Sequence, residues 1–338
     1  LLRVAVVGAT GLVGSQMMAI LEERSFPVAE LVPVASERSA GKRVSFRGEE
    51  VEVRVVSEEV FEGVDLALFS AGSSVSRRWA PVAVSRGAVV VDNSSAWRMD
   101  PKVPLVVPEI NGDDLSWHSG IIANPNCATV QTLMALYPLH RRFGLVRFFA
   151  STYQSVSGTG ARALEELRIG ALSYLDGRSW SGGVYPHPIA FNLIPEIGPF
   201  RDDGYSEEEL KMVNESRKIM GLPDLQVDCT TVRVPVFRGH SVSVFAFFQR
   251  EVDVEEARGV LSSFPGVKVV DDPSSHLYPM PMDAAGRDEV FVGRIRRSLA
   301  DPRGLALWVV SDNVRKGAAL NAVQISEKLL EMGLLRRA

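Results

Sequence analysis

Two short stretches of this 338-residue chain carry residue types that do chemistry. The first is Asn124-Pro125-Asn126-Cys127-Ala128-Thr129, which joins an apolar run to a long helical pattern. A cysteine at the start of a helix sits where the dipole and the free N–H groups favour its thiolate. The same N–H groups can hold an oxyanion. The second is Gly8-Ala9-Thr10-Gly11-Leu12-Val13-Gly14, between a first strand and a first helix. Glycine there allows a tight turn and close approach of a pyrophosphate, while the helix start supplies N–H donors. A nucleophilic cysteine beside a dinucleotide indicates a covalent route. The sulfur attacks an acyl group, and hydride transfer interconverts thioester and thiohemiacetal. That route needs a group to manage protons. Five histidines are candidates: His118, His140, His187, His240 and His276. His240, in Arg238-Gly239-His240-Ser241, falls in a tight turn between two expected strands, where catalytic side chains are commonly presented. His118 and His140 read as surface positions and His187 as a packed loop residue.

The nicotinamide cofactor is read from the end of the second strand, Ala35-Ser36-Glu37-Arg38-Ser39. An arginine there suits the 2′-phosphate of NADP, a carboxylate the free 2′-hydroxyl of NAD. Arg38 with Ser39 points to NADP, and the neighbouring Glu37 points the other way. The second cysteine, Cys229, lies in a strand-like run and reads as a structural residue.

The elements that must position these groups change character along the chain. Up to Cys127, short apolar runs (Arg3–Val7, Glu30–Ala35, Asp65–Phe69, Ala88–Val91, Leu105–Val107, Gly120–Ala123) alternate with helical patterns such as Leu12–Glu23 and Val75–Ser85. Strand, crossover, strand predicts a doubly wound parallel sheet. Val44–Phe46 and Val51–Val55 predict a hairpin. After Cys127 a helix over Ala128–Phe143 is followed by longer strands: Val146–Val156, Val227–Val236, Ser241–Gln249, Val290–Arg297 and Leu305–Ser311. In one of them Val242, Val244, Ala246 and Phe248 alternate with Ser241, Ser243 and Phe245, as in a mostly antiparallel or mixed sheet with helices on one face. Tyr174–Tyr205 is rich in Gly, Pro and Ser, a loop long enough to be functional or an interface. Lys316–Met332 is an amphipathic helix pattern. The expected fold is therefore α/β. Its domains are a Rossmann-like cofactor-binding domain, residues 1–127 completed by a C-terminal helix 315–338, and an α+β domain over 128–314.

Composition narrows the function. Lys and Arg number 37 against 41 Asp and Glu, a net charge of −4, with both signs mixed along the chain. A basic nucleic-acid groove is not the main business of such a chain. No apolar run reaches the ~20 residues of a membrane span, and the opening Leu1-Leu2-Arg3-Val4 is not read as a signal peptide. Two distant cysteines form neither a disulfide framework nor a zinc site, so the expected metal content is none. A reducing cytoplasm is the expected compartment.

These residues resemble the aspartate-β-semialdehyde dehydrogenases along nearly the whole chain. The resemblance is carried by Gly8–Gly14, Ser70-Ala71-Gly72-Ser73, Val91-Asp92-Asn93-Ser94-Ser95, Val106-Val107-Pro108-Glu109-Ile110-Asn111 and Asn124–Thr129. It continues in Ser151–Gly158, Arg233-Val234-Pro235, Gly239-His240-Ser241, Asp312-Asn313 and Arg315–Ala319. It implies NADPH-dependent reduction of β-aspartyl phosphate to aspartate semialdehyde and phosphate, in lysine, threonine, methionine and diaminopimelate biosynthesis. Cys127 matches the family's nucleophile, His240 its acid/base residue and Gln154 the residue that orients the thioacyl intermediate. Arg233 resembles the clamp on the substrate α-carboxylate, and a hairpin-like return would bring it to His240. Arg98 and Lys211 resemble phosphate-site cations, Glu208 the partner of the substrate ammonium group, and Asn126 a further substrate contact. Gly8, Thr10, Gly11, Leu12, Val13, Gly14, Arg38 and Ser39 are carried over as cofactor contacts, with Ser157, Gly158 and Asn313 near the nicotinamide. Tyr174–Tyr205 resembles the family's dimer-forming region, so a homodimer is expected, with higher assembly open. N-acetyl-γ-glutamyl-phosphate reductases share the architecture, but usually flank their cysteine with glycine and a bulky residue, where this chain has Asn126 and Ala128. A non-catalytic NADP-binding sensor is the alternative of another class.

Overall fold

The computed structural model describes residues 1–180 and 182–335. In chain order the first elements are β1 (Leu2–Val7), α1 (Leu12–Glu23), β2 (Val28–Ala35), β3 (Arg43–Phe46), β4 (Glu49–Glu52), β5 (Arg54–Val55), β6 (Leu66–Phe69), α2 (Ser73–Ser85), β7 (Val89–Asp92), α3 (Pro108–Asn111) and β8 (Ile121–Ala123). Then follow α4 (Cys127–Phe143), β9 (Leu145–Gln154), α5 (Ala161–Leu175), α6 (Glu207–Met220), β10 (Gln226–Arg233), β11 (His240–Phe248), α7 (Val254–Ser262), β12 (Val267–Val269), α8 (Pro281–Ala284), β13 (Val290–Arg297), β14 (Gly304–Ser311) and α9 (Leu320–Glu331). Two compact units result. One is Leu1–Asn126 with the chain from Ala318 on; the other is Cys127–Gly317. Cys127 thus heads the second unit instead of closing the first, and the return to the first unit comes at 318, not 315.

The first unit is a six-stranded parallel sheet in the order β5-β2-β1-β6-β7-β8. Its central strands are apolar on both faces, as a sheet covered on both sides requires: Val4, Ala5, Val6, Leu66, Ala67, Leu68 and Phe69 are fully buried. Helix α9 packs its Leu320, Val323, Ile325 and Leu329 into the core shared with α1 and β1. The expected hairpin forms from β3 and β4 alone, and β5 leaves it to join the edge of the main sheet. The strand expected at Leu105–Val107 does not form; only Leu105 bridges Ala123. Pro104 and Pro108 flank this stretch and remove the N–H groups a ladder would need. The C-terminal pattern is helical from Arg315 to Glu331, a π-helical turn, Arg315–Ala319, running directly into α9, which stops at Glu331; residues 336–338 of the expected helix lie outside the described residues.

The second unit is a mixed sheet in the order β10-β9-β11-β14-β13-β12. Its central pairs β9–β11, β11–β14 and β13–β14 are antiparallel, and its edge pairs β10–β9 and β12–β13 parallel. Period-2 alternation holds in β11: Val242, Val244, Ala246 and Phe248 are buried, while Phe245 on the other face is exposed. Phe149 and Tyr153 of β9 are exposed on that same outer face. Helix α4 is buried almost all round from Ala128 to Leu136. Helix α6 starts at a capping box formed by Ser206 and Glu209 and ends at Gly221 in the left-handed region, the pairing that fixes both ends of a helix. Between α5 and α6 the chain forms neither helix nor strand among the described residues, so most of Tyr174–Tyr205 is the long loop expected; Ser181 within it lies outside the described residues. Ile189 and Ile194 tie this loop to Leu167 of α5.

Candidate active site

In the first unit, strand order reverses between β1 and β6, and ligands of such sheets bind beyond the carboxyl ends of the strands at this point. Gly8, directly after β1, has φ 91°. A Cβ there would overlap the Ser70 carbonyl beyond β6, and a Cβ at Gly14 would overlap the Gly8 carbonyl. The glycines therefore let turn, strand end and helix close up, with Thr10, Gly11, Leu12 and Val13 between them. No side chain caps α1 at Gly11, which leaves its first-turn N–H groups suited to a phosphate. Thr10 Oγ lies 3.3 Å from Ser39 Oγ, in the turn that follows β2. Arg38 in the same turn is exposed. This cradle fits a nicotinamide dinucleotide. Arg98 of this unit is buried, its Nε donating to the Asn124 carbonyl and its Nη2 to the Asn93 carbonyl, both at 2.9 Å. Asn126 is also buried.

In the second unit, the candidate residues gather where three strands meet. Gln154 ends β9, Arg233 ends β10 and His240 begins β11. Arg233 is in register with Gln154. Strand β9 lies between β10 and β11, so the return from Arg233 to His240 passes over a strand and is not the hairpin expected. Cys127 is the first residue of α4 and is half-buried, with no acidic residue in its helix's first turn to oppose a thiolate. A Cβ on Gly317 would lie 2.8 Å from the Cys127 Cβ, so only glycine leaves the cysteine its place. Cys229 is buried and its thiol is pushed strongly up by burial, then by Glu209 and Glu208. That suits a packing role.

His240 is fully buried. Burial, and next the Arg233 charge, push its imidazole down to about 3, against a smaller opposite pull from Glu208. It is therefore neutral at physiological pH. The other histidines differ from expectation. His118 and His140 are half-buried, each accepting a backbone N–H on Nδ1 (from Gly120 at 3.0 Å and Leu145 at 3.1 Å), and His187 is exposed, not packed.

Glu208 is buried, while Lys211 is partly exposed and bonds it at 2.9 Å. Gln154 Nε2 donates to the other carboxylate oxygen of Glu208 at 3.2 Å. Of the neighbouring glutamates, Glu207 is exposed, and Glu209 closes the capping box and accepts the Thr231 N–H. Arg233 Nη1 donates to the Ser155 carbonyl at 2.8 Å, and its guanidinium stacks 5.8 Å from the Tyr185 ring centroid. Gly158 borders both functional groups. A Cβ there would lie 3.1 Å from Arg233 Nη1 and 3.3 Å from His240 Nε2. Ser157 and Asn313 are buried and bonded to each other, with Asn313 Nδ2 donating to Ser157 Oγ at 2.9 Å.

Two residues of this site escaped the sequence reading. Ser155 donates its backbone N–H to His240 Nδ1 at 3.0 Å. Gln131, one turn along α4 from Cys127, is fully buried and bonded to β14 through Val309 and Ser311. The i,i+4 spacing from the cysteine was a visible signal for Gln131; nothing in the sequence distinguished Ser155 from its serine neighbours.

Residues 3–118 match the family described as semialdehyde dehydrogenase, NAD binding domain, and residues 136–316 match semialdehyde dehydrogenase, dimerisation domain. The chain is 53% identical to an aspartate-semialdehyde dehydrogenase of Aquifex aeolicus over 98% of its length and 99% of the relative's. It is 52% identical to one of Bacillus subtilis, covering 99% of both. Among solved structures, aspartate semialdehyde dehydrogenase II of Vibrio cholerae, complexed with ASA, superposes with a TM-score of 0.95 at 44% identity over 98% of both chains.

Proposed function

We infer the chemistry from one premise: the chain belongs to the aspartate-semialdehyde dehydrogenase family. It is an oxidoreductase of amino-acid biosynthesis that reductively dephosphorylates β-aspartyl phosphate. Its first unit carries the nicotinamide cofactor, which supplies a hydride when bound. Arg38 and Ser39 select NADPH through the 2′-phosphate.

Cys127, ionised at the head of α4, attacks the acyl carbon and expels phosphate, so that the aspartyl group is held as a thioester. Arg98 and Lys211 favour the phosphate and its departure. Arg233 holds the α-carboxylate and Glu208 the ammonium group. Gln154, bonded to Glu208, orients the thioacyl carbonyl. His240 serves the reacting acyl oxygen as the thiohemiacetal forms and collapses back to aldehyde and thiolate. Ser157, Gly158 and Asn313 line the nicotinamide side. The observation that carries this reading is the meeting of Gln154, Arg233 and His240 at three strand ends, beside the buried Glu208. A buried carboxylate suits a free ammonium group, which an N-acetylated substrate lacks. An assay of both semialdehydes with phosphate and NADP tests the assignment. Turnover of aspartate semialdehyde is expected. Turnover of N-acetylglutamate semialdehyde alone would overturn it.

The second unit is a dimerisation domain of its family. The homodimer buries the outer sheet face, where Phe149, Tyr153 and Phe245 are exposed, together with Tyr174 of α5 and Phe191 and Leu193 of the long loop. The compartment we assign is cytoplasmic. Among the described residues no helix is long and apolar enough to cross a membrane.

A further inference from the structure

The long loop between α5 and α6 grips Arg233 at two places. On the main chain, Ile194 and Arg233 exchange both N–H···O bonds, at 3.0 and 2.8 Å, as a single antiparallel bridge. On the side chain, the guanidinium carbon lies over the Tyr185 ring, 5.8 Å from its centroid. Tyr185 is held at its tip and along the chain before it. Its hydroxyl donates to Thr159 Oγ1 at 2.9 Å, one residue past Gly158. Burial pushes the phenol up, against the Arg233 charge, so the hydroxyl stays protonated at neutral pH and donates. Just before the ring, one carboxylate oxygen of Glu166 in α5 accepts the N–H groups of Gly183 and Val184, at 2.8 and 2.7 Å. Glu166 is buried, and a Cβ at Gly182 would overlap its carboxylate. Val184 and Tyr185 pack with Val156, Leu167 and Ile194.

A planar fork recognises a carboxylate only if its plane is fixed. Arg233 is buried, and its Nη1 donates to the Ser155 carbonyl at 2.8 Å. Its Nε is buried and has no hydrogen-bond partner. The Nε edge is therefore the part of the fork left for the two oxygens of a carboxylate. One hydrogen bond at Nη1 leaves the guanidinium free to swing about that point. An aromatic face within about 6 Å attracts the cation and bars rotation toward itself. We propose that Tyr185 is the positioning residue that sets the plane of Arg233, so that the Nε edge of the guanidinium meets the substrate α-carboxylate. This rests on the assignment of Arg233 made above. The ring touches no reacting atom in this role. It acts on how tightly the substrate is held, through an arginine ordered before the substrate arrives, and leaves the chemical step to other residues.

Steady-state assays of the intact protein with aspartate semialdehyde, phosphate and NADP test this. Tyr185→Leu keeps an apolar side chain in the cluster and removes the ring. Its KM for aspartate semialdehyde is expected to rise about 3–10-fold, the effect of one side chain no longer pre-ordered. Its kcat should stay within about twofold, as for a loss of uniform binding, with KM for NADP and for phosphate unchanged. Tyr185→Phe keeps the aromatic face and is expected to stay within about twofold of the parent. If Tyr185→Leu does not fold, Tyr185→Met carries the same expectation. An unchanged KM in the folded variant, or a fall in kcat alone, overturns the proposal. So does a Tyr185→Phe protein as impaired as Tyr185→Leu. The Arg233→Gln background reads the coupling. There Tyr185→Leu is expected to cost nothing further in kcat/KM, because the clamp it serves is gone. Additive losses overturn the proposal even if the clamp itself is upheld. The clamp has its own readout: Arg233→Gln should raise KM for aspartate semialdehyde, and an unchanged KM there overturns the underlying assignment and the proposal with it.

Discussion

The Gln131 carboxamide donates to the backbone carbonyl of His240 at 3.1 Å and so ties the helix that begins with the cysteine to the strand that begins with the histidine. The same nitrogen reaches the Val309 carbonyl at 3.2 Å, and its oxygen accepts from Ser311 Oγ at 2.9 Å. Gln131→Leu leaves these buried groups without their partner, at a cost of about 1–3 kcal/mol for each orphan. The expected result is a lower denaturation midpoint with a fall in kcat larger than any change in KM. Unchanged kcat in a folded variant would remove Gln131 from the positioning of His240.

Cys127→Ser is expected to keep dinucleotide binding, since the Gly8–Gly14 turn belongs to the other unit. Turnover should fall by about 10³-fold or more, because the variant loses the thioester route. Fluorescence titration with NADPH and a steady-state assay separate the two effects. Appreciable turnover would rule out the covalent step.

Gly158 is not in the left-handed region, so Gly158→Ala is compatible with the backbone, yet its Cβ would stand 3.3 Å from His240 Nε2 and 3.1 Å from Arg233 Nη1. A loss of about 10–10²-fold in kcat/KM is expected from the small displacement of both groups, with thermal stability close to that of the parent. A large drop in melting temperature would instead make Gly158 a packing residue.

His240 also links stability to pH. Its folded value, about 3, lies below the ordinary 6.5 because of burial first and the facing Arg233 second, opposed by Glu208. Below pH 6.5 the unfolded chain binds a proton at this position that the native chain refuses. The native state therefore loses stability as pH falls through that window, by about 1.4 kcal/mol per pH unit from this group. Above pH 6.5 the group contributes no slope. His240→Gln should be less sensitive than the parent to a shift from pH 6.5 to 5, which urea unfolding at the two pH values measures. Equal sensitivity would mean that the ring is protonated in the folded protein.

Much of this was legible before any coordinates. Short valine-rich runs separated by helical patterns, and a glycine turn at the first strand's end, are local signals and appear where local physics puts them. The insertion of β9 between β10 and β11 is not local, because it depends on which distant strands pair. Leu105–Val107 has strand composition, but its flanking prolines decide against a ladder. Ser155 was invisible for another reason. Its importance lies in a main-chain N–H that every residue except proline possesses, and only the arrival of an imidazole beside it gives that group a task.

Gly158 and Gly317 share a property with consequences for how this enzyme can vary. Each leaves room for a reactive side chain by having none of its own, Gly317 for Cys127 and Gly158 for His240 and Arg233. Every codon change away from glycine adds at least one carbon atom. Drift at these two positions has no smaller or neutral neighbour to visit, so a mutational scan should find them intolerant even to alanine.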